Sequence, residues 1–202
     1  QKADAAAAHA EGTQQKSAIE QIRVGATCAG TNHQGCVSAI EKARSVGGLP
    51  SAVQQNYDKM LAGKYDALGQ SAKATAQTKA NIDKYGGSAT ELQYIARKEL
   101  DAKNYGEAVK YAQKAVDAKG GGTAYNIMLN AYSAQGKMDD YYKVVERIAP
   151  AMKQDTYWRM LIERTKKEPK FKSQEGLLDV YRALTAAGVK LNTQEQKEMA
   201  EM

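Results

Sequence analysis

The chain has 202 residues, room for one or two domains and enough length to bury a core. One Phe and one Trp against abundant Ala, Gln, Lys and Glu favour helix over sheet, so the whole chain reads as α. The formal charge of +6 is spread along the chain with acidic residues interleaved, as on a solvated surface, and no apolar run approaches the roughly 20 residues of a membrane span.

Residues 1 to 12 are Ala-rich and permit helix, but they have no apolar stripe to dock and are expected to fray. The opening Gln1-Lys2-Ala3-Asp4-Ala5 lacks an initiator Met and is expected to follow a removed leader. Ser17 to Ala26 reads as a first helix and Cys36 to Ala43 as the start of a second. Between them, Gly30, Asn32 and Gly35 mark a tight turn that can bring Cys28 and Cys36 together. Three states stay open for this pair: a disulfide, two buried thiols, or a metal site completed by His33. The last is the poorest, because a closed zinc site needs four ligands. Next, Ser51 to Leu61 reads as a helix opened by a Ser51/Gln54 capping box. A turn over Gly63–Leu68 and a second helix from Ala67 to Lys84 follow, ending at Gly86-Gly87.

From Ser88 onward the chain repeats itself. Leu92, Tyr125 and Trp158 are 33 residues apart, as are Ile95, Met128 and Leu161, and Ala96, Leu129 and Ile162. Within each segment these positions lie three to four residues apart, one face of a helix. Tyr105, Met138 and Phe171 recur at the same interval, then Ala112, Val145 and Leu178, then Ala115, Ile148 and Tyr181, giving the stripe of a second helix. Turns are expected at Lys103-Asn104, Gly136-Lys137 and Pro169-Lys170 inside the units, and at Gly120-Gly121-Gly122 and Pro150 between them. Ser88 with Glu91 and Thr193 with Gln196 read as capping boxes, and Asp155 as a further cap. The helix announced at Thr193 is still running at Met202, so it is expected to be cut short or to be covered by a second copy of the chain in a homodimer.

The segment Lys103-Asn104-Tyr105-Gly106-Glu107-Ala108-Val109-Lys110-Tyr111-Ala112-Gln113-Lys114-Ala115-Val116 resembles the second-helix signature of the tetratricopeptide repeat, and Ala96 matches that family's small first-helix residue. The unit from Gly122 is similar, with Tyr125, Leu129, Tyr132 and Gly136 in place, although Tyr141 stands where a small residue is usual. The unit from Asp155 departs further, with Gln174 at the small position and Pro169 in the turn. The resemblance implies an all-α, right-handed solenoid of antiparallel helix pairs. It divides into degenerate pairs over 1–87, three repeats over 88–187 (89–121, 122–154 and 155–187), and a further helix over 188–202. It also implies a groove lined by first-helix positions: Gln93, Arg97 and Asp101, then Asn126 and Asn130, then Arg159 and Glu163. Arg97 and Arg159 suit a carboxylate, and the two Asn suit the backbone of an extended peptide. Asn126 stands where some members carry a Lys that clamps a C-terminal carboxylate, so that ligand is not implied. The expected function is therefore a non-catalytic scaffold for a protein or peptide.

Chemistry for catalysis is thin. His9 lies in the fraying start and His33 in a glycine-flanked turn, Asp139-Asp140 suits a helix dipole, and Gly120-Gly121-Gly122-Thr123 lacks the Lys and the preceding strand of a phosphate loop. No catalytic residue, cofactor, metal or nucleic-acid partner is expected. A second reading is an acidic polymer or membrane surface bound through Arg164, Lys166, Lys167, Lys170 and Lys172; an enzyme on a helical solenoid is a third. The twelve Tyr, with Tyr94, Tyr125, Tyr132, Tyr141, Tyr142 and Tyr157 in the central units, are expected mostly to bury their rings, the rest serving as partner anchors. A disulfide and a processed start would place the protein in the periplasm of a bacterium or outside the cell, with the cytoplasm as the alternative.

Overall fold

A computed structural model describes residues 2–152, 154–167 and 174–202. Among the described residues there are twelve helices and no strand: α1 (Lys2–Ala8), α2 (Thr13–Cys28), α3 (His33–Val46), α4 (Ser51–Ala67), α5 (Ser71–Tyr85), α6 (Ala89–Asp101), α7 (Tyr105–Asp117), α8 (Gly121–Ala134), α9 (Met138–Met152), α10 (Asp155–Lys167), α11 (Gln174–Ala186) and α12 (Thr193–Ala200). They fall into two compact units, Gln1–Glu91 and Leu92–Met202.

In the first unit, α2 and α3 pack through Val24, Val37, Ile40 and Ala43, and α4 adds Tyr57 and Leu61 to the same cluster. Cys28 and Cys36 are joined by a disulfide across the α2–α3 turn, with their Cα atoms 4.7 Å apart. The turn ends on Asn32, whose side chain accepts a hydrogen bond from the Gly35 amide and so satisfies a first-turn donor of α3. Asp58 of α4 is buried, but it accepts a hydrogen bond from the Tyr85 hydroxyl at 2.7 Å and lies near Arg44 and Lys84, so its charge is compensated. The Ala-rich start forms α1, and Asp4 pairs with Arg23 of α2.

Two sequence expectations are corrected here. Helix α4 runs straight through Gly63–Ala67, and the turn falls at Leu68, Gly69 and Gln70. Gly69 is the residue with a positive φ, 69°, which lets its own amide bond Asp66 O and the Gln70 amide bond Tyr65 O. Gly63 needs no such backbone and is simply helical. Likewise α4 opens behind Pro50, which puts Ser51 at the first helical position, where its hydroxyl caps nothing.

The second unit carries the repeat. Leu92, Ile95 and Ala96 of α6, Met128 and Leu129 of α8, and Trp158, Leu161 and Ile162 of α10 are all buried, as are Ala112, Ala115, Val145, Ile148 and Tyr181 from the second helices. Tyr105, Tyr125 and Leu178 are half-buried, and Met138 is exposed, because it opens α9 at the rim of the turn. Phe171 and the Pro169-Lys170 turn lie outside the described residues.

The helix ends are built alike. At Lys103, Lys119, Gly136 and Gly188, each with φ between 61° and 79°, the amide bonds the carbonyl three residues back, and the next amide bonds the carbonyl five residues before it. This paired closure satisfies the last carbonyls of α6, α7, α8 and α11 and reverses the chain in a fixed geometry. The Ser88/Glu91 capping box forms as expected. The second box is shifted by one residue to Asn192/Glu195, where the Asn192 side chain receives the Glu195 amide and Glu195 receives the Asn192 amide. Pro150 does not separate units but lies within α9, close to its end, where one missing amide costs little.

Candidate functional site

Helices α6, α8 and α10 are the first helices of the three repeats. Their polar faces meet at an open cavity of about 510 Å³ lined by Arg97, Asn126, Asn130, Ser133, Gln154 and Thr156 on the polar side, and by Leu129, Tyr141, Tyr157 and Met160 on the other. The 33-residue phase explains the placement: positions that share a helix face in one unit share it in the next. Asn126 and Asn130 stand one turn apart on α8. The Tyr157 hydroxyl donates to Asn126 Oδ1 at 3.3 Å, which orients that amide and leaves its N–H groups without a partner among the described residues. Arg97 is exposed and has no ion-pair partner among the described residues. Among the described residues no Asp or Glu lines this cavity, and Arg97 is the one charged residue that does.

Thr156 and Met160 also line a neighbouring cavity of about 440 Å³ bounded by Tyr142, Asp155, Arg159 and Glu163. Arg159 is engaged: it pairs with Asp155 of its own helix at 3.1 Å, with Glu195 of α12, and donates to Lys190 O at 3.2 Å. The hydrogen bond it donates to Glu195 is the main reason its guanidinium is held above its ordinary pKa. Glu163 pairs with Lys167 at 2.7 Å.

The seven groove positions named from sequence therefore part company. Arg97, Asn126 and Asn130 share the larger cavity, Arg159 and Glu163 the smaller, and the Gln93 amide donates to Gly120 O, tying α6 to the α7–α8 turn. Asp101 lines neither cavity.

The apolar wall, by contrast, does not follow from the repeat. In the sequence Tyr141 stands out as too large for its place and as one of the clustered tyrosines expected to bury their rings or to anchor a partner. Its half-buried ring forms part of that wall, its hydroxyl lies 3.7 Å from Met160 Sδ, and its ring meets Tyr142 edge to face. Burial raises the Tyr141 pKa, with Tyr142 and Tyr157 adding to the effect, so the ring stays neutral.

The basic stretch is taken up by internal contacts wherever it is described. Arg164 is buried, stacks over the Tyr142 ring at 4.5 Å and pairs with Asp139 and Glu146. Lys166 pairs with Glu198 and Lys167 with Glu163, both at 2.7 Å. Lys170 and Lys172 lie outside the described residues. Among the described residues no group of three or more His, Cys, Asp or Glu is placed to hold a metal, and no helix is long and apolar enough to cross a membrane.

No family model and no curated protein matches the sequence. Among solved structures, the crystal structure of MamA protein is similar with a TM-score of 0.50 at 13% identity, over 92% of this chain and 90% of that one. Looser matches are a kinesin light chain with nearly identical TPR-like repeats from Podosopora anserina (TM-score 0.42, 18% identity, 95% and 94% covered) and the C-terminal part of a TPR repeat-containing protein from Cytophaga hutchinsonii (0.38, 15%, 91% and 87%). With its consecutive helix pairs and 33-residue phase, the chain has an all-α fold like that of tetratricopeptide-repeat proteins.

Proposed function

We propose that residues 92–202 form a non-catalytic scaffold that holds an extended segment of a protein partner in the cavity of α6, α8 and α10. The observation that carries this reading is the gathering of Arg97, Asn126 and Asn130, none with its donors used up by the described residues, beside an apolar wall of Leu129, Tyr141, Tyr157 and Met160. Paired Asn amides offer a donor and an acceptor to peptide backbone, the guanidinium selects an acidic side chain, and the aromatic wall gives area. Cavity walls without paired carboxylates or a metal cluster among the described residues support binding over chemistry. The Cys28–Cys36 bridge supports an oxidising location, periplasmic or secreted.

The test is to pan a phage-displayed random dodecapeptide library on the full chain. Acidic sequences carrying an apolar or aromatic residue are expected to be enriched, and Arg97→Glu combined with Asn130→Ala is expected to abolish their capture. Enriched peptides that bind wild type and this variant equally would refute the reading.

A further inference from the structure

Helix α12 is an unusual neighbour for the groove. Thr193–Ala200 is eight residues long, and the only one of them buried is a carboxylate, Glu195. An eight-residue helix has no stability of its own and is normally held by an apolar face. Here, apart from the half-buried Met199, the side chains that seat it are charged or polar. Glu195 pairs with Arg159, and Glu198 pairs with Lys166 and accepts the Tyr181 hydroxyl. Arg159 is also a wall of the smaller cavity, which shares Thr156 and Met160 with the larger one. The groove arginine nearest α12 is thus already holding a carboxylate supplied by the chain itself.

We infer that α12 is a displaceable latch: the Glu195 carboxylate occupies Arg159 in place of an acidic residue of the partner, and a partner reaching from the Arg97 cavity into the Arg159 cavity must first release it. The inference rests on the binding reading above and adds its regulation. The Lys166–Glu198 pair is partly exposed and screened by salt, and on release the buried Glu195 carboxylate returns to water while Arg159 gains a carboxylate of the partner, so the exchange leaves no buried charge unpaired. A segment anchored by apolar burial would not exchange in this way. The consequence for affinity is arithmetic: if only the unlatched fraction is competent at Arg159, the apparent dissociation constant rises by the reciprocal of that fraction.

Glu195→Gln is the informative substitution, because Gln at the third position of a helix still serves a capping box, so the helix keeps its start while the negative charge facing Arg159 is removed. The probe is fluorescein-labelled hexaglutamate, followed by anisotropy on the full chain. Glu195→Gln is expected to bind it about fivefold more tightly than wild type, and Arg159→Ala in that background is expected to remove the gain. Amide hydrogen exchange over residues 193–200 is expected to accelerate in Glu195→Gln. It is also expected to accelerate in Glu198→Gln, which leaves Arg159 and Glu195 in place and so does not depend on the first variant's folding. Binding that requires Arg97 but ignores Glu195 would overturn the latch alone. Binding indifferent to both Glu195→Gln and Arg97→Glu would overturn the latch together with the groove reading beneath it.

Discussion

Lys103 and Gly136 occupy the same place in successive repeats, the left-handed residue that closes the first helix, with φ of 61° and 66°. Their amides accordingly do the same work: Lys103 N–H bonds Leu100 O and Asn104 N–H bonds Glu99 O, as Gly136 N–H bonds Ser133 O and Lys137 N–H bonds Tyr132 O. A residue with a Cβ costs roughly 1–2 kcal/mol in this conformation, whereas glycine costs about 0.5–1 kcal/mol more backbone entropy on folding. Lys103→Gly should therefore stabilise residues 92–202 by about 0.5–1 kcal/mol. Gly136→Lys should destabilise them by a similar amount, and since a Cβ at Gly136 would meet nothing within 4 Å, that cost is backbone alone. Trp158, the single tryptophan, is 3% exposed in α10 and reports this unit by its fluorescence. With a urea slope of about 2 kcal/mol/M, the midpoints should move by about 0.2–0.5 M in opposite directions at unchanged slope. A lower midpoint for Lys103→Gly, or an unmoved one for Gly136→Lys, would refute the assignment of strain to this residue.

Arg164→Ala should cost about 2 kcal/mol in the same urea titration, since it removes a buried guanidinium that bridges Asp139 and Glu146 and stacks on Tyr142. Glu198 is held at a pKa of about 2, chiefly by its hydrogen bond to Lys166 and then by that to Tyr181. A folded pKa below the ordinary carboxylate value means that this contribution is present above about pH 4.5 and is lost as pH falls toward 2, so wild type should lose thermal stability over that window more steeply than Glu198→Gln. At the other end Tyr181 is raised to about 12, by burial first and by Glu198 second, so its contribution is full below pH 10 and is lost as pH climbs through 12, a loss that Tyr181→Phe should not show in the same melts. Reducing the Cys28–Cys36 bridge, whose sequence separation is 8, should lower stability by roughly 2.5 kcal/mol through the freedom returned to the unfolded chain, read as a lower circular-dichroism midpoint with reductant.

How far the site was legible follows from what periodicity can carry. Arg97, Asn126 and Asn130 were found because a repeat phase assigns a helix face to every position, and a face is a local property of the chain. Tyr157 was marked only as one of the clustered tyrosines, and Met160 not at all. Their place on the cavity wall depends on how α8, α9 and α10 pack, which no spacing records. The fate of Arg159 lay further off still: its partner Glu195 is 36 residues along the chain. In the first unit, Gly63–Leu68 looked like the turn at Lys103 but lies mostly inside α4, because the residue that carries the left-handed φ is Gly69.

What the sequence alone determined, then, is the all-helical class, the 33-residue phase, the buried stripe from Leu92 to Tyr181 and the polar face opposite it. These follow from backbone geometry, in which 3.6 residues per turn converts spacing into direction. What only the tertiary structure decided is which polar residues remain available. Arg97 and Arg159 both fall on the groove face that the phase assigns, at registers four residues apart, yet one faces an open cavity without an ion-pair partner among the described residues while the other is held by α12, because charge compensation is settled by neighbours in space.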